Sequence, residues 1–288
     1  MTMDGRPSRT AVAVALARGL GGVDPLAQWL LPRRVAESLR ASNASPMRRW
    51  PLRIGLAGLV PHLQMRTRAI DAACEQAHAA GIRDVVVLGA GLDSRAFRLG
   101  ALADARFFEV DHPATGAAKA RRVAALTDPL GLATTFRDGS VRWQPVPVDF
   151  AQDDLGAALA TAGQDAARPT LWIWEGVTMY LPRAAMQATL ARIAGRSAVG
   201  SRLVVSYMVP SLALPTGVRQ LALAGFRALG EPLLGPIGPE AMADALAAHG
   251  FSLLSDESHA EWASRFGVSR LAARAYAAER LAVARRDA

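Results

Sequence analysis

Apolar residues in the first eighty positions recur every three or four residues over 9–20, 24–32, 34–42 and 66–80, and this spacing predicts helices. Gly21-Gly22, Pro32 and Pro51 break the pattern between them. From residue 84 onward the pattern changes. Short continuous apolar runs fall at 84–88, 106–110, 144–148, 170–174, 201–207, 250–254 and 280–285, with helical spacing between most of them. Such runs, too apolar to face water on one side, predict an α/β chain whose seven strands form a sheet covered on both faces. Residues 209–239 form a Pro- and Gly-punctuated insertion with one expected helix, and no internal repeat interrupts the pattern.

The first of these runs ends in Gly89-Ala90-Gly91, and the second ends in Asp111, twenty-two residues after Gly89. Glycines let a backbone approach a ligand, and an acid at the tip of the next strand can accept hydrogen bonds from a ribose diol. The pattern is that of a nucleoside-binding βαβ unit; a plain tight turn is the other reading of a lone Gly-x-Gly. A dinucleotide loop would carry a third glycine at position 94, where Ser94 stands behind Asp93. An aspartate at a helix mouth repels a pyrophosphate. The loop therefore suits a nucleoside ligand without phosphates, and S-adenosylmethionine is one.

Two further strand ends carry acids. The third run is followed by Asp149 and the fourth, LWIWEG, by Glu175. In an open α/β sheet, ligands sit outside the carboxyl ends of the strands, so four polar strand ends predict one shared rim. Each acid has a structural alternative: Asp149 could cap a helix starting near Gln152, and Asp111 one starting at Pro113. Glu175 resists that alternative, because an unpaired carboxylate at the end of a buried strand is costly.

Composition adds limits. At 288 residues and 51% apolar content the chain can bury a full core. The net charge is +8, and Lys119 is the only lysine beside the arginines. These are scattered, without interleaved aromatics, which reads as solvated surface rather than a nucleic-acid face. The single cysteine, Cys74, excludes an internal disulfide framework and a cysteine zinc site, and no metal is expected. Arg6 and Arg9 before AVAVALA resemble the start of a secretory signal, but Arg18 cuts the run short, and no stretch reaches the ~20 apolar residues of a membrane span. A soluble, cytoplasmic protein is expected.

The segments MRTRAIDAA, VVVLGAGLDSRAFRL, FFEVDHPATGAAKARR, VPVDF and LWIWEGVTMYLP together resemble the leucine carboxyl methyltransferase family, in particular its bacterial branch of S-adenosylmethionine-dependent, polyketide-type O-methyltransferases. The likeness runs from RTA and DPLA near the N-terminus to ERLAVARR at the end. It implies a class I methyltransferase Rossmann-like fold, with a seven-stranded, mostly parallel sheet whose last strand is antiparallel and helices on both faces. It also implies one domain over 1–288: an N-terminal helical layer over 1–80, a cofactor-binding core over 81–208, a lid insertion over 209–239 and C-terminal core elements over 240–288.

The resemblance also assigns roles. Arg66 would pair with the methionine carboxylate as a planar bidentate donor. Gly89, Ala90 and Gly91 would let the cofactor lie against the first strand. Asp111, with His112 beside it, would hold the ribose hydroxyls, Asp149 and Phe150 the adenine edge and face, and Glu175 the ammonium group. Arg68 has Asp71 as an i+3 partner, and Arg9 and Arg18 read as helix-surface charge.

The reaction implied is in-line attack of a substrate oxygen on a sulfonium methyl. A carboxylate acceptor is already ionised at neutral pH, whereas an alcohol or phenol needs a base within reach. The candidates are His112, Tyr180 and Tyr207, with His62 and His259 on the flanks, and none forms an acid–base pair by spacing. A small-molecule carboxylic acid or polyketide-like acceptor is therefore expected. An RNA-modifying methyltransferase, a nicotinamide-dependent oxidoreductase and a non-catalytic cofactor-binding protein are the alternatives; oligomeric state is open.

Overall fold

The computed structural model describes residues 9–45, 47, 59–150, 152–210, 234–268 and 278–287. Seven strands form one sheet: β1 (Asp84–Leu88), β2 (Arg106–Asp111), β3 (Trp143–Pro147), β4 (Thr170–Trp174), β5 (Arg202–Met208), β6 (Phe251–Ser258) and β7 (Glu279–Arg286). Their order is β3-β2-β1-β4-β5-β7-β6. β1 pairs parallel with β2, β2 with β3 and β4 with β5, whereas β7 runs antiparallel to both β5 and β6. All five residues of β1 and of β4 are buried, the result expected of continuous apolar runs covered on both faces. Pro145 and Pro147 are tolerated in β3 because it is an edge strand, with a ladder on one side only.

The chain divides into two compact units, Met1–Gln164 and Asp165–Ala288. The first begins with α1 (Arg9–Gly19), α2 (Ala27–Leu30), α3 (Arg33–Asn43) and α4 (Leu59–Ala79). α1 packs on α2, α3 and α4. α4 starts seven residues before the expected boundary at 66, since Pro61 falls in its first turn, where no intrahelical N–H is lost. α2 is a single turn, shorter than the 24–32 spacing suggested, because Asp24 folds the preceding segment into a turn by accepting from the amides of Leu26 and Ala27. β1–β3 follow, with α5 (Arg95–Arg98), α6 (Pro113–Leu130) and α7 (Leu155–Thr161).

The second unit holds β4–β7 with α8 (Arg183–Gly195), α9 (Pro239–Ala248) and α10 (His259–Arg265). Trp172 and Trp174 on β4, Tyr207 on β5 and Trp262 on α10 are among its largest buried side chains. The helix expected in the 209–239 insertion falls on 211–233, outside the described residues. No helix among the described residues is long and apolar enough to cross a membrane.

Candidate cofactor site

In the first unit, the ends of β1, β2 and β3 are tied together by backbone and side chain. Gly89 and Ala90 both donate to the Val110 carbonyl, at 2.8 and 3.1 Å. Gly89 and Gly91 have φ of 65° and 53°, a left-handed backbone that costs a β-carbon-bearing residue energy but glycine little. A β-carbon at Gly91 would also come within 3.2 Å of Ala11 Cβ, so α1 rests directly on this turn. Asp111 closes the loop: one carboxylate oxygen accepts from the Gly91 amide at 2.5 Å and the other from the His112 amide at 2.7 Å. Its backbone carbonyl accepts from Val148 at 2.9 Å, which places Asp149 at the next strand end.

Asp111 therefore does not cap α6, the alternative the sequence left open. His112 does, its Nδ1 accepting from the Ala114 amide at 3.3 Å ahead of Pro113. Burial raises the Asp111 pKa above the ordinary aspartate range, opposed by the Gly91 and His112 amides and then by the Lys119 charge.

Asp149 does not cap the next helix either. α7 begins at Leu155, three residues beyond the expected start, and Asp154 is its cap, accepting from the Ala157 amide at 2.6 Å. Asp149 instead accepts from the Gln152 side chain at 2.9 Å. Phe150 beside it is 41% exposed, an apolar ring presented to solvent. Arg66 is buried in the middle of α4, while Arg68 is exposed.

Three electrostatic expectations change. Asp71, expected to pair with Arg68, instead receives Arg95 at 2.8 Å and both terminal nitrogens of Arg98 at 2.7 Å. Asp93 is not a bare charge at a helix mouth, because Arg95 pairs with it and both side chains are buried. Phosphate is still disfavoured, for a different reason: Asp93 already takes the Arg95 amide at 2.7 Å, and α5 is only four residues long. Arg18, expected on a helix surface, is buried, donating to the Leu92 carbonyl at 2.7 Å and lying 3.4 Å from Asp24. Its reach from α1 to the glycine turn is what draws it inside. The Arg9 side chain lies outside the described residues.

An ion pair that no sequence motif marks lies below the turn. Glu109 lies two residues before Asp111 on the same face of β2, and its Oε2 accepts from Lys119 Nζ. Both side chains are buried. Ala90, Gly91, Glu109, Asp111, Gly116, Lys119, Trp143 and Pro145 surround a cavity of about 10 Å³. The clue was compositional: this is the chain's only lysine.

In the second unit, Glu175 follows β4 and precedes Gly176, whose φ is 68°. It is half-buried and not an isolated charge, which removes the cost argument made from the sequence. Tyr207 is sealed inside, its hydroxyl donating to Asp256 at 2.6 Å, with Arg280 3.1 Å from the same carboxylate. Burial, and then Asp256, push the phenol well above its ordinary pKa, so Tyr207 is not poised as a base near neutral pH. Replacing Tyr207 by Phe should cost about 1.5–3 kcal/mol in a denaturant melt, the range for a hydrogen bond to a charged group, and leave any activity–pH profile in place. Tyr180 is half-buried in a short 3₁₀ turn after β4. His62, in the first unit, and His259 are buried. Cys74 is a buried thiol whose pKa desolvation raises.

A seven-stranded mixed sheet of this order defines the class I methyltransferase-like fold. Two solved structures cover the chain almost fully: one named as a methyltransferase from Thermobifida fusca, with TM-score 0.64, 17% identity and coverage of 99% of this chain and 97% of that one; and a DUF574 family protein from Streptomyces avermitilis, with TM-score 0.61, 19% identity and coverage of 99% and 100%. The leucine carboxyl methyltransferase family model matches residues 10–194, and the chain belongs to that family. A relative from Frankia alni, which carries the name of an S-adenosyl-L-methionine-dependent methyltransferase, is 39% identical over 197 residues, 68% of this chain and 58% of its own length. One of the same name from Streptomyces coelicolor is 45% identical over 139 residues, 48% of this chain and 46% of its own. The chain thus spans about half the length of these relatives.

Proposed function

We propose that this protein is an S-adenosylmethionine-dependent methyltransferase that methylates an oxygen, specifically a carboxylate, of a small-molecule acceptor. The observation that carries the cofactor half is the Gly89–Gly91 turn clasped onto Asp111. Each Asp111 oxygen accepts one backbone N–H and keeps a second lone pair, which suits a vicinal diol with two O–H donors. The exposed Phe150 ring offers a face for adenine, and the Asp149 carboxylate beside it an edge contact. Membership of the family supports the roles of Arg66 toward the cofactor carboxylate and Glu175 toward its ammonium; those two assignments rest on sequence resemblance.

When bound, the cofactor supplies a sulfonium-activated methyl group. The chain's contribution is to fix the nucleoside and exclude water, so that an acceptor oxygen is held in line; positioning of this kind can supply ~7 to 11 kcal/mol. The carboxylate acceptor is favoured by what happens to the candidate bases. His112 Nδ1 accepts from the Ala114 amide at the α6 cap, and Tyr207 is a raised phenol donating to Asp256 and so is not poised as a base. An acceptor already ionised needs neither.

The acceptor is testable with cofactor labelled on the methyl group and a panel of carboxylic acids, phenols and alcohols. Label in products that release methanol in mild alkali is expected, as for a methyl ester; alkali-stable label would point to an ether and overturn the carboxylate assignment.

A further inference from the structure

Lys119 stands out because every other cationic side chain apart from histidine is arginine. Arginine is planar and forked, whereas lysine delivers a compact charge through a tetrahedral ammonium. At this position the space is small: Nζ meets Glu109 Oε2, lies 5.9 Å from the Trp143 ring centroid, and borders the 10 Å³ cavity shared with Gly91 and Asp111. Gly116, one helical turn earlier on α6, lines the same cavity without a side chain. The corner is thus shaped for a point charge beside the Asp111 carboxylate.

We propose that Lys119 is a positioning residue for nucleoside binding: its buried ammonium, paired with Glu109 beside the Trp143 ring, borders the cavity that Asp111 lines and sets a fixed positive charge next to the carboxylate that accepts the ribose hydroxyls. The inference rests on the ribose role proposed for Asp111. The other titratable groups at this corner are Glu109 on β2, His112 at the α6 cap, and Asp93 behind the glycine turn, whose charge Arg95 covers. Of these, Lys119 is the fixed cation that favours the Asp111 carboxylate, working against its burial. Glu109 is the tether. Burial raises its pKa, opposed chiefly by Lys119, and neither its Oε1 nor Trp143 Nε1 makes a hydrogen bond of standard geometry.

Binding of S-adenosylhomocysteine measured by calorimetry across pH 4–8 separates this role from simple support of the fold. Affinity should fall with decreasing pH as Asp111 is protonated. Lys119→Met removes the favouring charge, so the pH at which affinity is halved should move upward, and affinity at pH 7 should drop about tenfold or more. Glu109→Gln leaves the ammonium in place, so its midpoint should stay where it is or move downward. Lys119→Arg keeps the charge but not the shape and should rescue only in part. If Lys119→Met does not fold, the double variant Glu109→Gln/Lys119→Met removes both buried charges, and its midpoint should lie above that of Glu109→Gln alone.

Unchanged binding and midpoint in a folded Lys119→Met protein, or equal upward shifts in Lys119→Met and Glu109→Gln, would overturn the proposal. Failure of the underlying reading looks different. In that case the unmodified protein does not bind the ligand at all, or Asp111→Asn binds as well as the unmodified protein.

Discussion

Asp111→Asn is expected to lower affinity for S-adenosylhomocysteine by roughly a hundredfold or more while the protein stays folded. Two hydrogen bonds from ribose hydroxyls to an ionised group are worth about 1.5–3 kcal/mol each, and every 1.4 kcal/mol is about a factor of ten. The amide cannot simply substitute. Both oxygens of Asp111 accept from backbone N–H groups, Gly91 on one side and His112 on the other. An asparagine must turn its NH₂ toward one of these donors, breaking the clasp that shapes the glycine turn. Calorimetric titration beside a thermal melt checks the claim, and retained affinity would remove Asp111 from the site.

The second large effect is on stability. Arg95→Met should destabilise the protein by about 3–5 kcal/mol, the cost of stripping one partner from a buried ion pair. Arg95 is wholly buried and answers both Asp93 and Asp71, and Asp93 is itself buried. Adding Asp93→Asn should recover much of the loss, because it removes the stranded charge rather than restoring the pair. Denaturant melts of the two single variants and the double variant measure this. Strictly additive losses would mean that the pair does not act as a unit.

The strand positions were legible because buried strands leave long apolar runs. β1 and β4 match the expected 84–88 and 170–174 residue for residue. β6 was expected to end at 254 and runs to Ser258; its tail, Ser255–Ser258, is polar and pairs with β7 at the sheet edge, where apolar content no longer marks a strand. Of the candidate site, the glycine turn and the acid at the next strand end were legible as residue types at strand ends. Gly91 and Asp111 are joined by a hydrogen bond that no spacing rule states, while the Gly89 amide donates to Val110 beside them. Ion-pair partners were not legible. The sequence offered Arg68 to Asp71 as a helical neighbour, but the fold brings Arg95 and Arg98 across from another element, and burial makes those contacts the stronger ones. The helix caps lie one position beyond the alternative at Asp111 for α6 and five beyond the one at Asp149 for α7, because nearby polar residues compete for one role and only backbone geometry decides.

The measurement that bears most directly on the account is equilibrium binding of the unmodified protein to S-adenosylhomocysteine and, in parallel, to NAD. A phosphate-free nucleoside site anchored on Asp111 predicts saturable one-to-one binding of S-adenosylhomocysteine and none of the dinucleotide. Binding of NAD without S-adenosylhomocysteine would contradict it.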